Sequence, residues 1–292
     1  MTRAPRIAVL PYATRWPAGL ARVPLDRLDW PLGRPAGLAG QVGDLGPDDH
    51  LILFPTAALL LAPHRGVRAR LTPMFVEPRA IQGGLARLAG ALHGRFFALL
   101  TCDDRLIAAA PNAIRYTYGG TWVPEWEGVD TVKDRGLSLI ASAKRALPGH
   151  RLRHAVAARL AAEGIAADVM GGGYRSFGAK AEGLARYRFT IAIENSRQRG
   201  YFTEKLIDAI LCRTIPIYWG APDIADHFDP AGMVVCETAD DLIAAARHVT
   251  ADAYAARLPA ALANIPRAAG FADPLGNAAR AVLGAATAAA TG

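Results

Sequence analysis

The residue types that could do chemistry gather between Glu194 and Lys205. Glu194-Asn195-Ser196 ends the apolar run Phe189 to Ile193. Thr203-Glu204-Lys205 opens a stretch whose apolar positions Leu206, Ile207, Ile210 and Leu211 share one helical face. Thr203 is a good N-cap, and Glu204 suits the dipole of a first turn. Free N–H groups at such a helix start, with the Lys205 cation beside them, make a ready site for a diphosphate. Glu204, as an acceptor, could hold ribose hydroxyls. The plainer alternative is a capped helix with solvated Glu and Lys. Asn195 and Glu194 end an otherwise apolar strand, so they either tether the next loop or meet a ligand. Tyr201 lies just before the helix, where its ring either packs on a base or sugar or belongs to the core.

Arg151, Arg153 and His154 stand at the front of another helical stretch, PGHRLRH. A cation in a first turn opposes the helix dipole unless an anion binds there. Arg153 is therefore a candidate phosphate contact, against the alternative of a plain surface helix. Glu77, before Pro78, and the pair Asp103 and Asp104 each close an apolar run. Any of the three could be a general base in a cleft, or simply shape a turn. No D-x-D pair, HExxH, Walker A or GxSxG sequence occurs, and the His residues are scattered. Gly171-Gly172-Gly173 reads as a turn rather than a phosphate cradle. The expectation is no metal and no cofactor, with charge on a departing group met by Lys, Arg and backbone N–H.

Such residues need a scaffold that brings strand ends to one edge. Tyr187 to Gly220 reads as strand, basic loop, helix, strand. In open parallel sheets the carboxyl ends of the strands are where ligands bind. Upstream, strands are expected at 6–12, 50–55, 70–78 and 95–104, with a fifth at 112–120 and helical stretches at 56–61 and 83–94. Residues 13–49 read as loops with at most one short helix. Further on come a strand at 136–143, a helix at 148–165, a strand and Gly-rich turn at 167–173, a short helix at 179–187 and a strand at 233–237. Ala-rich helices punctuated by Pro259, Pro266 and Pro274 follow. This alternation predicts Rossmann-like sheets. Tyr116, Tyr118, Trp122 and Trp126 form either a sugar-stacking platform or interdomain packing. The junction is placed behind them, giving domains 1–130 and 131–292.

Length and composition agree. A chain of 292 residues, 52% of them hydrophobic, suits two compact domains. The net charge of +7 points to an acidic partner: a phosphate-bearing ligand, nucleic acid or an anionic membrane face. Arg is spread along the chain with no RNA-binding signature, which sets nucleic acid aside. Cys102, Cys212 and Cys236 are widely spaced without a CxxC, as expected of buried thiols in a reducing compartment. A strand beginning at Arg6 leaves no room for a signal peptide, and no apolar run is long enough for a bilayer. A cytoplasmic location is expected, with peripheral contact at a membrane surface left open.

With these residues in view, the segment resembles glycosyltransferase family 10, the α-1,3/1,4-fucosyltransferases. The family pattern is met by Phe189, Glu194-Asn195-Ser196, Tyr201, Thr203-Glu204-Lys205 and Ile215-Pro216-Ile217-Tyr218-Trp219-Gly220. The likeness extends upstream through Ser142 to Arg153 and onward to about Asp229, whereas the first 130 residues resemble the family only faintly. The resemblance implies an α/β GT-B fold, two Rossmann-like domains facing a cleft. It implies GDP-fucose as donor, a glycan hydroxyl as acceptor, and inversion at the anomeric carbon without a metal. Lys205 and Arg153 would then contact the diphosphate and Glu204 the ribose, with Asn195 and Tyr201 completing the donor pocket. The family's proposed base is a Glu just past an N-terminal-domain strand in a Gly-Glu-Asn context. Glu77, in Phe75-Val76-Glu77-Pro78, occupies a comparable place with different neighbours. The alternatives are a transferase of the same fold using another nucleotide sugar, and a sugar-nucleotide-binding protein without turnover.

Overall fold

In the computed structural model, which describes residues 5–12, 19–62 and 65–291, the short apolar runs are strands and the Ala- and Leu-rich stretches are helices. In chain order they are β1 Ile7–Val9, β2 His50–Leu53, α1 Ala57–Leu61, β3 Arg70–Pro73, α2 Arg79–Ala91, β4 Leu99–Thr101, α3 Asp104–Ala109 and β5 Ala113–Arg115. Then follow β6 Arg135–Ile140, α4 Pro148–Ala162, β7 Asp168–Met170, β8 Tyr187–Ile193, α5 Glu204–Leu211, β9 Ile215–Trp219 and β10 Val234–Val235. The chain ends with α6 Ala239–Arg247, α7 Ala251–Ala263, α8 Ile265–Phe271 and α9 Pro274–Thr291. Of the loop expected over 13–49, residues 13–18 lie outside the described residues. The rest holds three 3-10 turns, Leu20–Arg22, Leu25–Arg27 and Val42–Asp44. The helix expected at 179–187 is only a 3-10 turn, Lys180–Gly183, because β8 already begins at Tyr187.

The chain forms two units, Met1–Thr117 with Pro274–Gly292, and Tyr118–Asp273. In the first, β1, β2 and β3 pair in parallel. A bridge from Met74 to Leu100 carries the ladder to β4, which pairs in parallel with β5. The strands advance in one direction, so right-handed crossovers put α1, α2 and α3 on one face. There Ala8, Leu51, Leu53 and Leu71 bury against Leu60, Ala89 and Leu106. The opposite face needs cover, and α9 supplies it, packing on β1 and β2 with Ala278, Ala279 and Val282 fully buried. This explains a difference from the sequence reading, which put the junction at 130/131 and every C-terminal helix in the second domain. The units part between Thr117 and Tyr118, and α9 returns to the first.

In the second unit the strand order is β10-β9-β8-β6-β7, all parallel. The residues of β8 alternate: Phe189, Ile191 and Ile193 join a core with α4 and α6, while Ala192 joins one with α5 and α8. The first strand, β6, lies between β7 and β8, so the order reverses there. A doubly wound sheet binds ligands at such a switch point, outside the carboxyl ends of the strands. Among the described residues no helix is long and apolar enough to cross a membrane.

Candidate functional site

At the switch point the first turn of α4 presses against the end of β8. A Cβ on Gly149 would stand 1.7 Å from the Glu194 carbonyl oxygen, so only glycine allows the approach. The Gly149 N–H donates to the Asn195 carbonyl at 3.1 Å. Within the same helix Arg153 is buried. Its Nε and Nη2 donate to the Ile193 carbonyl at 2.9 and 2.6 Å, and Nη2 also donates to Asn195 Oδ1 at 2.9 Å. Its Nη1 makes no hydrogen bond among the described residues. Burial pushes the guanidinium pKa down, against the pull of Glu194, Glu204 and Tyr201. His150, between Gly149 and Arg153, accepts from the Leu147 N–H at 3.3 Å and hydrogen-bonds Asn195. Burial, with Arg153 and Lys144 nearby, holds its pKa below the ordinary value.

Glu194 is fully buried and clamps the start of α5. One carboxylate oxygen accepts the Thr203 N–H and the other its hydroxyl, each at 2.8 Å. Of the two readings of this polar pair, Glu194 takes the tether, while Asn195 buttresses Arg153. Burial pushes the Glu194 carboxyl up, opposed by Lys205 Nζ, 3.7 Å away. Thr203 caps α5 as expected, and Lys205 Nζ donates to Thr203 Oγ1 and Glu204 Oε1, both at 3.0 Å. Burial alone would raise the Glu204 pKa, but Lys205 and Lys180 hold it below the usual carboxylate range. Tyr201 is a buried ring. The basic loop before it is tied down: the Gly200 N–H donates to Asp223, and Arg197 pairs with Glu237 at 2.7 Å.

Two residues went unnoticed in the sequence, Lys180 and Asp208. Lys180 Nζ reaches Asp208 at 2.7 Å, donates to the Glu204 carbonyl at 3.3 Å and stands 4.8 Å from the centroid of the Trp122 ring. Asp208, fully buried, also accepts from the Thr121 hydroxyl at 2.6 Å and the Trp122 N–H at 3.1 Å. Nothing local marks either residue, since their pairing exists only in the folded chain.

The carboxylates of the first unit differ in their commitments. Asp103 caps α3 through the Arg105 N–H at 3.0 Å and pairs with Arg79 at 2.7 Å. Asp104 pairs with Arg115 at 2.6 Å. Glu77 lies in the turn between β3 and α2, its N–H donating to Gln82 Oε1 at 3.0 Å. The structure thus gathers Arg153, Asn195, Tyr201, Glu204 and Lys205 in the second unit and keeps Glu77 in the first. Of the aromatic cluster, Tyr116 is buried and bonds the Pro274 carbonyl, Trp126 packs on the core of the second unit, and Trp122 is exposed. Among the described residues no three His, Cys, Asp or Glu side chains group as metal ligands.

Comparison with known proteins bears on this region. The model of glycosyltransferase family 10 (fucosyltransferase), C-terminal part, matches residues 133–244. The alpha-(1,3)-fucosyltransferase FucT of Helicobacter pylori is 49% identical over 55 residues, 19% of this chain and 12% of its own length. An alpha-(1,4)-fucosyltransferase of Arabidopsis thaliana is 37% identical over 51 residues, 18% of this chain and 13% of its own. The matched stretch thus spans a small part of these relatives. A crystal structure of an alpha1,3-fucosyltransferase superposes with a TM-score of 0.51 at 20% identity, covering 80% of each chain. That likeness extends over the fold and bears out the mixed α/β architecture with parallel sheets. Residues 133–244 are thus similar to the C-terminal part of glycosyltransferase family 10, the fucosyltransferases.

Proposed function

We propose that the protein transfers fucose from GDP-fucose to a hydroxyl of a glycan acceptor, in a single displacement that inverts the anomeric carbon. One observation carries the reading: Arg153 of α4 and Glu204 and Lys205 of α5 converge around the Glu194 clamp at the switch point. The diphosphate lies against the first-turn N–H groups of α5 and Lys205, with Arg153 Nη1 as a second donor. Glu204 accepts from ribose hydroxyls, and Asn195 and Tyr201 complete the pocket. The acceptor hydroxyl attacks from the face opposite GDP, Glu77 takes its proton, and the cations and N–H groups absorb the charge on the departing diphosphate. Glu77 is taken as the base for its place just past β3, with Asp103 and Asp104, each paired with an arginine, as the alternatives. No metal enters this scheme. The fucosyltransferase relatives support fucose as the transferred sugar, and the charge of +7 suits a GDP-sugar and an acceptor at an anionic inner membrane face, such as a surface glycan or its lipid-linked precursor.

The test is fucose incorporation from GDP-fucose into a panel of glycans, with and without a chelator. Transfer insensitive to chelation, giving the anomer opposite to the donor's, is expected. Greater thermal stabilisation by GDP-mannose or a UDP-sugar than by GDP-fucose would overturn the donor assignment. Binding without turnover would reduce the protein to a sugar-nucleotide binder.

A further inference from the structure

Asp208 is a fully buried carboxylate that the proposed chemistry does not use. It stands one helical turn after Glu204 on α5, so the two carboxylates share a face of the helix. Like charges at that spacing are unfavourable unless a cation stands between them. Lys180 is that cation. Its Nζ lies 2.7 Å from Asp208 Oδ2 and 3.8 Å from Glu204 Oε1, and it donates to the Glu204 carbonyl at 3.3 Å. Asp208 is fixed in turn, its Oδ1 accepting the Thr121 hydroxyl at 2.6 Å and the Trp122 N–H at 3.1 Å. A chain of contacts therefore runs from Thr121 and Trp122 through Asp208 and Lys180 to Glu204.

Glu204 has a second cation, Lys205, whose Nζ lies 3.0 Å from the same Oε1. Both lysines hold the carboxyl below its usual range. They are not equivalent. The Lys205 side chain is 24% exposed and also reaches Thr203 Oγ1, at the capped start of α5. The Lys180 side chain is 10% exposed and engaged by buried Asp208. A diphosphate at the start of α5 draws Lys205 toward itself. Lys180 cannot follow, and it stays with the Glu204 carboxylate once the donor is seated. Holding a binding group through a packed neighbour in this way is how a site keeps its geometry.

We infer that Lys180 is a positioning residue for the donor: braced by Asp208, it holds the Glu204 carboxylate where the ribose hydroxyls meet it. The inference rests on the donor-site reading above, which gives the ribose to Glu204. A merely structural role for Lys180, neutralising buried Asp208, would not depend on the ribose hydroxyls.

The test is calorimetric titration of GDP, and of its dideoxy analogue lacking both ribose hydroxyls, into the whole protein, Lys180→Met and Lys180→Met/Asp208→Asn. Thermal unfolding is the folding control. The double variant is included because Lys180→Met alone leaves a buried carboxylate unpaired, which is strongly destabilising. The unaltered protein should bind GDP more tightly than the dideoxy analogue. In each folded variant GDP should weaken roughly ten-fold, the size of a lost hydrogen bond to a charged group, while the dideoxy analogue changes little. Unchanged GDP affinity in a folded variant overturns the inference, as does an equal loss for both ligands. Loss of folding in both variants overturns it too, since the pair would then serve the fold. If the unaltered protein fails to bind GDP, or binds both ligands alike, the ribose reading of Glu204 itself falls, an outcome distinct from a failure of Lys180 alone.

Discussion

Lys205 is the residue on which the proposed chemistry turns. Its Nζ stands within 3.7 Å of oxygens on Thr203, Glu204 and Glu194, so it is positioned before any donor arrives. A preorganised cation at a departing diphosphate typically contributes ~10²–10³ in rate. Lys205→Ala and Glu204→Ala should therefore lower kcat/KM by roughly that factor with the melting temperature little changed, as steady-state transfer and thermal unfolding would report. Retained turnover in both variants would remove these residues from the site. Glu77→Gln should keep GDP affinity and lose transfer; persistent transfer would exclude it as the base. Much of this site was legible in the sequence because its signals are local: a cap, a first-turn carboxylate and a strand ending in polar residues. Lys180 and Asp208 were not, because an ion pair between separate segments leaves no local pattern.

At the scale of elements, the site exists because two helix starts are fixed to one strand end. Glu194 holds α5 by the Thr203 N–H and hydroxyl, and Gly149 lets α4 close on the Glu194 backbone. Removing a buried acceptor leaves its donors unsatisfied at about 1–3 kcal/mol. Glu194→Ala should lose about that much stability in urea unfolding and weaken GDP together with it. Gly149→Ala places a methyl group against backbone at 1.7 Å, where no side chain can yield. It should lower the melting temperature by several degrees, and an unshifted melt would contradict the packing described for α4 and β8. The strands and helices themselves were readable from apolar runs and, for α5, from the Thr203 cap; the caps at Thr56 and Thr238 emerge only in the structure. The destination of α9 was not: its pattern says that it is a helix, while its partner is decided by a sheet face left open at the other end of the chain.

At the scale of the whole molecule, two buried groups of the first unit should make it acid-sensitive. His50 is buried in β2, its Nδ1 without a hydrogen bond among the described residues, and burial together with Arg70 pushes its pKa down to about 4. The unfolded chain binds this proton near the ordinary value of 6.5, so stability present above that pH is lost as pH falls toward 4. The shift corresponds to about 3 kcal/mol. Burial would raise the Asp49 carboxyl, but hydrogen bonds from Arg6 and from the Gly46 and Arg6 N–H groups hold it at about 2. That contribution is complete above pH 3.8 and disappears as pH falls through 2. Melting temperature should thus fall between pH 6.5 and 4, and His50→Phe should flatten that slope; an unchanged slope would assign the loss elsewhere. Because the second unit is a continuous stretch, residues 118–273 should fold alone, whereas deleting 274–292 should destabilise the first unit by uncovering β1 and β2. Circular dichroism melts of both fragments check this.

The central claim, a nucleoside diphosphate held where α4 and α5 begin, meets its most direct test in calorimetric titration of GDP into the unaltered protein and into Arg153→Ala and Lys205→Ala. Measurable binding that weakens at least roughly ten-fold in each folded variant is predicted, the size of one lost charge-assisted contact. No binding by the unaltered protein, or equal affinity in all three, would contradict it.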